Sequence, residues 1–380
     1  MCAEYIKFLP FASSKELGKI GALRMKSLCA LLLVFGLALS TQAAVLLDDD
    51  WDDGDRTDTN LPDESAWFGN TVAGGPTLSA ATNALTALVR VDANVSSRLW
   101  ITHFTPAGSP ATLNLGDTLK LTLSFVPRNV TLSSGTSRGL RIGLFNFSEP
   151  GAARVTADGF STAAGAGAPG TNVTGYMLNM NFAQTNTINS PLEIMKRTDM
   201  TTSNLMGTTA AFQRVGTTGG GSVGNPGFSN DVPYTFEFSV RRMTDGSQIT
   251  TTFSDTNGWS ISHSVTDVFD PTFRFDGLAI RPAGVVDTAD AFVFTRLKVE
   301  TIPYTMRIRS ARFKSPQVLE LQWDSLPGKR YEVHWRAGLE PNQSWSLLGE
   351  AMDSQGTTTS FDDGDVAFEI QRFYRVFELP

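Results

Sequence analysis

The feature that most constrains this chain is an alternation of apolar and polar residues with a period of two, which recurs from Ala44 almost to the last residue. Such alternation places every second side chain on one face, so each run reads as a strand with one buried side. The clearest runs are Leu119 to Phe125, Leu140 to Leu144, Tyr176 to Phe182, Tyr234 to Val240, Gln248 to Phe253, Trp259 to Val265, Phe273 to Ile280 and Phe292 to Val299. Between them stand turn signals such as Asp245-Gly246 and Asn257-Gly258, residues that tolerate the positive φ of tight hairpins. No amphipathic helical pattern separates the runs, so the crossovers that parallel strands need are missing. The expected fold class is all-β, with a large antiparallel two-sheet sandwich.

Ile302-Pro303 marks a boundary, after which Val318 to Trp323, Arg330 to Trp335, Trp345 to Leu348, Thr357 to Phe361 and Arg372 to Val376 read as a small sandwich. Trp323, Trp335 and Trp345 are expected to build its core. Upstream, Met25-Lys26-Ser27 gives a short basic start, Leu28 to Leu39 an apolar run, and Thr41-Gln42-Ala43 small residues suited to cleavage. These are the parts of a secretory signal peptide, and the apolar run falls short of the ~20 residues that span a bilayer. The expected organisation is a signal region over 1–43 with the true start at Met25, a large domain over 44–302 and a small domain over 303–380. Both cysteines, Cys2 and Cys29, then lie in the removed segment, and the exported chain carries no thiol chemistry.

Charge narrows the partners. The net charge is −7, and the segment Asp48 to Glu64 holds eight Asp and one Glu against Arg56 alone. A chain with no basic patch is a poor match for nucleic acid. The run Thr217 to Gly227, with Gly219-Gly220-Gly221 inside it, leads into a strand and not a helix N-terminus, so it reads as a loop and not as a phosphate cradle.

Certain segments carry a family likeness. "GLFNF" at Gly143 to Phe147, "YTFEFSVRRMTDGSQITTTF" at Tyr234 to Phe253, "FRFDGLAIRPAG" from Phe273 and "DAFVFTRLKVE" ending at Glu300 together resemble the concanavalin A-like, laminin-G-like jelly rolls of secreted bacterial proteins. "WDDGDRTDTNLPDESAWF" at Trp51 to Phe68 is similar to the opening of such domains. The tail, with "LQWDSLPGKRYEVHWRA" and "QRFYRVFELP", resembles a fibronectin-III-like module. The resemblance implies a jelly-roll sandwich followed by a small C-terminal β-sandwich, displayed outside the cell or in its envelope. For function it implies little, since this architecture hosts binding modules, enzymes and structural domains alike.

The closely spaced strand carboxylates of the glycoside hydrolases that share this fold are absent, and Glu237 has no acidic partner two or four residues on. A polysaccharide lyase would need His and Tyr side chains in the concave sheet, for which His103, His263, Tyr176 and Tyr234 are the residues present. Three histidines and no cysteine in the exported chain exclude a compact zinc site. Two ligand classes remain. Calcium would be held by Asp48, Asp50 and Asp52 with Asp290 from the closing strand, as the resemblance implies for jelly rolls that tie their first and last strands together. Carbohydrate would be met by aromatic platforms, for which Tyr176, Trp259 and Trp67 are the candidates, while Trp100 reads as core. The expected function is a non-catalytic glycan-binding or envelope-associated module; the alternative is a polysaccharide lyase or hydrolase working in the concave face.

Overall fold

The computed structural model describes residues 5–8, 43–70, 77–89, 98–130, 139–161, 168–182, 190–220, 227–282, 289–338, 340, 343–366 and 372–379. The region expected to be a signal, including both cysteines, lies outside these residues apart from strand β1 (Tyr5–Phe8) and Ala43. Two compact units divide the chain, one over Ala43–Pro303 and one combining Met1–Gln42 with Tyr304–Pro380. Among the described residues there is no α-helix, and no helix long and apolar enough to cross a membrane.

The large unit contains β2 (Ala44–Asp49), β3 (Trp67–Gly69), β4 (Leu78–Ala81), β5 (Ala84–Leu88), β6 (Trp100–His103), β7 (Ala111–Thr112), β8 (Thr118–Arg128) and β9 (Leu140–Asn146). It continues with β10 (Thr174–Met180), β11 (Leu192–Arg197), β12 (Phe212–Arg214), β13 (Tyr234–Met243), β14 (Gly246–Asp255), β15 (Ser260–Asp267), β16 (Arg274–Phe275), β17 (Gly277–Pro282) and β18 (Ala291–Ile302). One sheet runs β15-β14-β13-β8-β18-β5-β4, with β2 also on β18; the other runs β12-β11-β10-β9-β17-β6-β3. All their pairings are antiparallel. The result is a jelly-roll β-sandwich.

The eight-stranded sheet follows the period-two rule closely. In β8 and β13 buried and half-exposed residues alternate, so Leu119, Leu121, Leu123, Phe125, Phe236, Phe238 and Val240 point into the sandwich. On its outward face Thr250 meets Ser264 at 2.8 Å and Thr252 meets Ser262 at 3.0 Å, hydroxyl pairs that suit a solvated surface. In β18 the core residues are Phe292, Phe294, Leu297 and Val299, a spacing that breaks the alternation by one. A bulge between Phe294 and Arg296 absorbs the extra residue, so both halves of the strand keep their apolar side inward. Phe294 lies 5.8 Å from Trp67 and 6.3 Å from Trp100, centroid to centroid, which ties the two sheets together through aromatic contacts.

The seven-stranded sheet departs from the expected single buried face. Every residue of β9 and of β17 is buried. Its inward face carries Ile142, Leu144, Leu178, Leu278 and Ile280 into the main core, while Phe145, Met177, Met195, Ala279 and Ile101 form a second apolar cluster on its far side. Leu205 and Met206 from the connection between β11 and β12, with Val155 and Phe147 from the segment after β9, complete that second cluster. Glycine permits the close layering: a Cβ on Gly143 would lie 2.4 Å from the Phe145 ring, and one on Gly175, at φ +147°, 2.2 Å from the Leu144 carbonyl.

The second unit contains β19 (Ile308–Ser315), β20 (Val318–Asp324), β21 (Arg330–Arg336), β22 (Ser346–Leu347), β23 (Met352–Asp353), β24 (Thr358–Asp363) and β25 (Arg372–Glu378). Its sheets are β19-β20-β24 and β1-β25-β21-β22, with β23 on β21. Trp323, Tyr331, Tyr374 and Val376 are buried in its core, and Trp335 packs against it. Trp345 corrects the expectation of three core tryptophans: it stands outside that core with the guanidinium groups of Arg336 and Arg375 each 4.3 Å from its ring. Cation–π contact leaves a ring half in water, which is why an aromatic at a strand edge need not be core.

Candidate functional site

The four aspartates expected to hold calcium are not brought together. Asp48 receives two hydrogen bonds of 2.8 Å from Arg296, so its carboxylate is already neutralised. Asp48 pairs with Lys298, whereas Asp290 precedes the far end of the same strand. Eight residues of extended chain separate Lys298 from Asp290, roughly 25 Å. Asp50 and Asp52 are exposed. Asp49, next to Asp48, is buried and accepts the Trp51 amide at 3.0 Å; burial pushes its carboxyl up to about 6. Among the described residues no group of three or more His, Cys, Asp or Glu is arranged to hold a metal ion. The predicted set therefore does not fit one ion.

Two of the three aromatic platforms are also displaced from the surface. Trp67 has no exposed area and lies between Trp51, at 6.1 Å, and Phe294. Tyr176 is buried as well, because its strand turns that side chain toward the other sheet. Trp259 is half-buried, with its edge contacts to Phe182 at 5.9 Å and Tyr234 at 6.1 Å. Trp100 is core, as read from the sequence.

The histidines are scattered. His103 is buried and donates from Nε2 to the Val155 carbonyl at 3.0 Å; burial first, and then nearby Arg154, depress its pKa to about 3, so the ring is neutral. His263 donates to the Thr217 carbonyl at 2.8 Å, and Gly219 packs so tightly on its ring that a Cβ there would come within 1.9 Å. His334 pairs with Glu332 in the small unit.

Tyr176 nevertheless leads to a site. Its hydroxyl donates to Asp267 at 2.8 Å and accepts the Thr272 amide at 3.0 Å, clamping both ends of the loop after β15. Within that loop Asp267 also accepts the Phe269 amide at 3.1 Å and faces Lys196 at 3.3 Å. The Lys196 ammonium donates in turn to the carbonyls of Phe269 and Asp270. Asp270 adopts a left-handed φ of 52°, and the hydroxyl of Ser247 donates to the Thr272 carbonyl at 3.3 Å. The loop is held at every turn, and what it holds out is Phe269, 82% exposed, beside Val268 at 48%. Thr266 and Asp270 flank the pair as exposed polar residues, with Gln248 across the strand from Thr266. A fixed aromatic ring with polar neighbours can stack on the apolar face of a ligand without losing loop entropy on binding. The sequence did carry a signal for it: Asp267-Val268-Phe269-Asp270-Pro271 sets two apolar residues between turn formers, where no strand face can bury them.

A second polar feature crosses the far side of the seven-stranded sheet. Glu193, Asn179, Arg141 and Arg281 occupy one register row over β11, β10, β9 and β17. Arg141 donates to Asn179 at 3.0 Å and to the Met206 carbonyl at 2.8 Å, and Asn179 donates to Glu193 at 3.0 Å. Close by, Arg197 has no exposed area and donates to the carbonyls of Gly170, Thr202, Asn204 and Leu205 at 2.5–3.2 Å, which pins the connection that roofs this face.

No family model matches the sequence, and no curated protein matches it. Among solved structures the chain is similar to peanut lectin with a 9mer peptide, at a TM-score of 0.34 and 8% identity over 64% of this chain and 100% of that one. It is similar to arcelin-5, a lectin-like defense protein from Phaseolus vulgaris, at 0.36 and 12% over 64% and 95%. It is also similar to the Ca2+-bound exoplasmic/lumenal domain of VIP36, at 0.38 and 13% over 67% and 89%.

Proposed function

We propose that the large unit is a non-catalytic carbohydrate-recognition module of an exported protein, and that it meets its glycan through the loop Thr266–Thr272. The observation that carries this reading is Phe269, an aromatic ring 82% exposed on a loop fastened by Tyr176, Lys196 and Asp267. An exposed ring on a mobile tip is commonplace, but one anchored from beneath by buried polar groups is shaped for contact. Export rests on the sequence reading of Met25 to Ala43. The small unit, which resembles a fibronectin-III-like module in sequence, serves in this account as a spacer or display element.

Retention of the Ala44–Pro380 chain on a panel of plant, algal and microbial polysaccharides tests the proposal. Retention on at least one, competed by its soluble oligosaccharide, is expected. No retention on any of them overturns glycan recognition and leaves the same loop as a contact for a protein of the envelope.

A further inference from the structure

The register row on the far side of the seven-stranded sheet carries a charge that the sheet does not balance. Arg141 and Arg281 stand directly opposite each other on neighbouring antiparallel strands, 8% and 7% exposed. Like charges in that position repel, and removal from water makes each less favourable still. Glu193 is the only carboxylate in the row, and it already faces Arg214 at 2.7 Å and Asn179 at 3.0 Å. The two arginines are not equivalent. Arg141 is held in place by Asn179 and the Met206 carbonyl. Arg281 makes a long 3.4 Å bond from Nε to the carbonyl of Pro282, and among the described residues no carboxylate pairs with it. Burial, and after it the charge of Arg141, lowers its affinity for its own proton, as expected of two guanidinium groups held side by side away from water.

We propose that Arg141 and Arg281 form an oxyanion site that receives the carboxylate or sulfate group of an acidic glycan, with Arg281 offering its planar fork and Arg141 fixing its position. A guanidinium fork matches two oxygens of either group, and an arriving anion relieves the repulsion between the pair, so the anion binds where the apo sheet is least favourable. The assignment of the anion to a glycan rests on the function proposed above; the oxyanion site itself does not. The pair lies on the far side of the seven-stranded sheet, whereas Phe269 stands on the loop after β15, so the acidic group makes a contact separate from the ring.

The test is melting of the full chain in sodium glucuronate, sodium sulfate, glucose and sodium chloride, the salts at matched ionic strength. A ligand that binds only the folded state raises Tm, so glucuronate or sulfate is expected to raise it above the chloride control, glucose is not, and the increment is expected to vanish in Arg281→Gln. Arg281→Lys keeps the charge without the fork and is expected to retain part of the increment, which serves if the Gln variant does not fold. Binding to polygalacturonate against its methyl ester, and to dextran sulfate against dextran, separates a carboxylate from a sulfate source; at least tenfold preference for one acidic form, lost in the variant, is expected. Equal Tm increments in the native chain and both variants, or none from either oxyanion, overturns the site. An oxyanion increment without retention on any polysaccharide leaves the site standing and removes the glycan; retention on neutral polysaccharide without an oxyanion increment does the reverse.

Discussion

Replacing Asp49 by Asn is expected to stabilise the protein at neutral pH and to do nothing in acid. Asp49 is 3% exposed, accepts the Trp51 amide at 3.0 Å through Oδ1, and lies only 3.5 Å from the Ser65 amide. Desolvation is the first cause that raises its pKa from 3.8 to about 6, with Asp53 and Glu64 adding repulsion. Because the folded-state value is the higher one, the folded protein holds this proton where the unfolded chain has lost it. The stability that protonation contributes is thus full below about pH 3.8, falls as pH rises and is gone above about 6. A shift of that size corresponds to roughly 3 kcal/mol between the two ends of the window. Asn is neutral like the protonated carboxyl and keeps the Oδ1 bond to Trp51 but gives up the long bond from the Ser65 amide, so Asp49→Asn recovers part of that difference at pH 7.5, a rise of roughly 3–6 °C in Tm for a unit of this size. Scanning calorimetry of both proteins from pH 4 to 8 reads the effect as a gap that opens across pH 4–6. A gap that is absent, reversed or independent of pH refutes the argument, because it means that the charged form is as well accommodated as the neutral one.

Further outcomes follow from the same packing. Arg197→Ala strips four carbonyls of their donor and should cost about 3–5 kcal/mol, with proteolysis appearing first between Thr198 and Gly207; a loss under 1 kcal/mol contradicts the pinning role. Gly175→Ala forces a Cβ to within 2.2 Å of the Leu144 carbonyl at a positive φ, and should cost about 2–4 kcal/mol by denaturant unfolding; a neutral effect means that β9 and β10 are not paired as described. With Asp48 engaged by Arg296 and Asp290 far along β18, exchanging EDTA for millimolar Ca2+ should leave Tm unchanged, and a rise of several degrees would show that the acidic residues regroup around an ion.

The eight-stranded sheet was legible because one of its faces meets water, and period-two alternation in β8, β13 and β14 records that asymmetry residue by residue. The seven-stranded sheet was less so. Arg141 and Gly143 read as an outward face, yet both are buried, since Leu205, Met206 and Phe147 come from irregular segments that carry no periodic mark. Which way an aromatic on a strand turns depends on register, so Trp67 and Tyr176 offered no local sign that they face the core. Tyr176 is no surface platform and still lies beneath the site, because its hydroxyl supports the loop that presents Phe269. The acidic run told of charge but not of position; one strand bond takes Asp48 to Arg296 and Lys298, and Asp290 stays at the other end.

Affinity for the retained polysaccharide, measured side by side for the native chain and Phe269→Ala with Tm recorded for both, tests the account most directly. The ring is 82% exposed, so its removal leaves Tm unchanged while binding weakens at least tenfold, equivalent to about 1.4 kcal/mol. Undiminished binding by Phe269→Ala at unchanged Tm contradicts recognition through this loop.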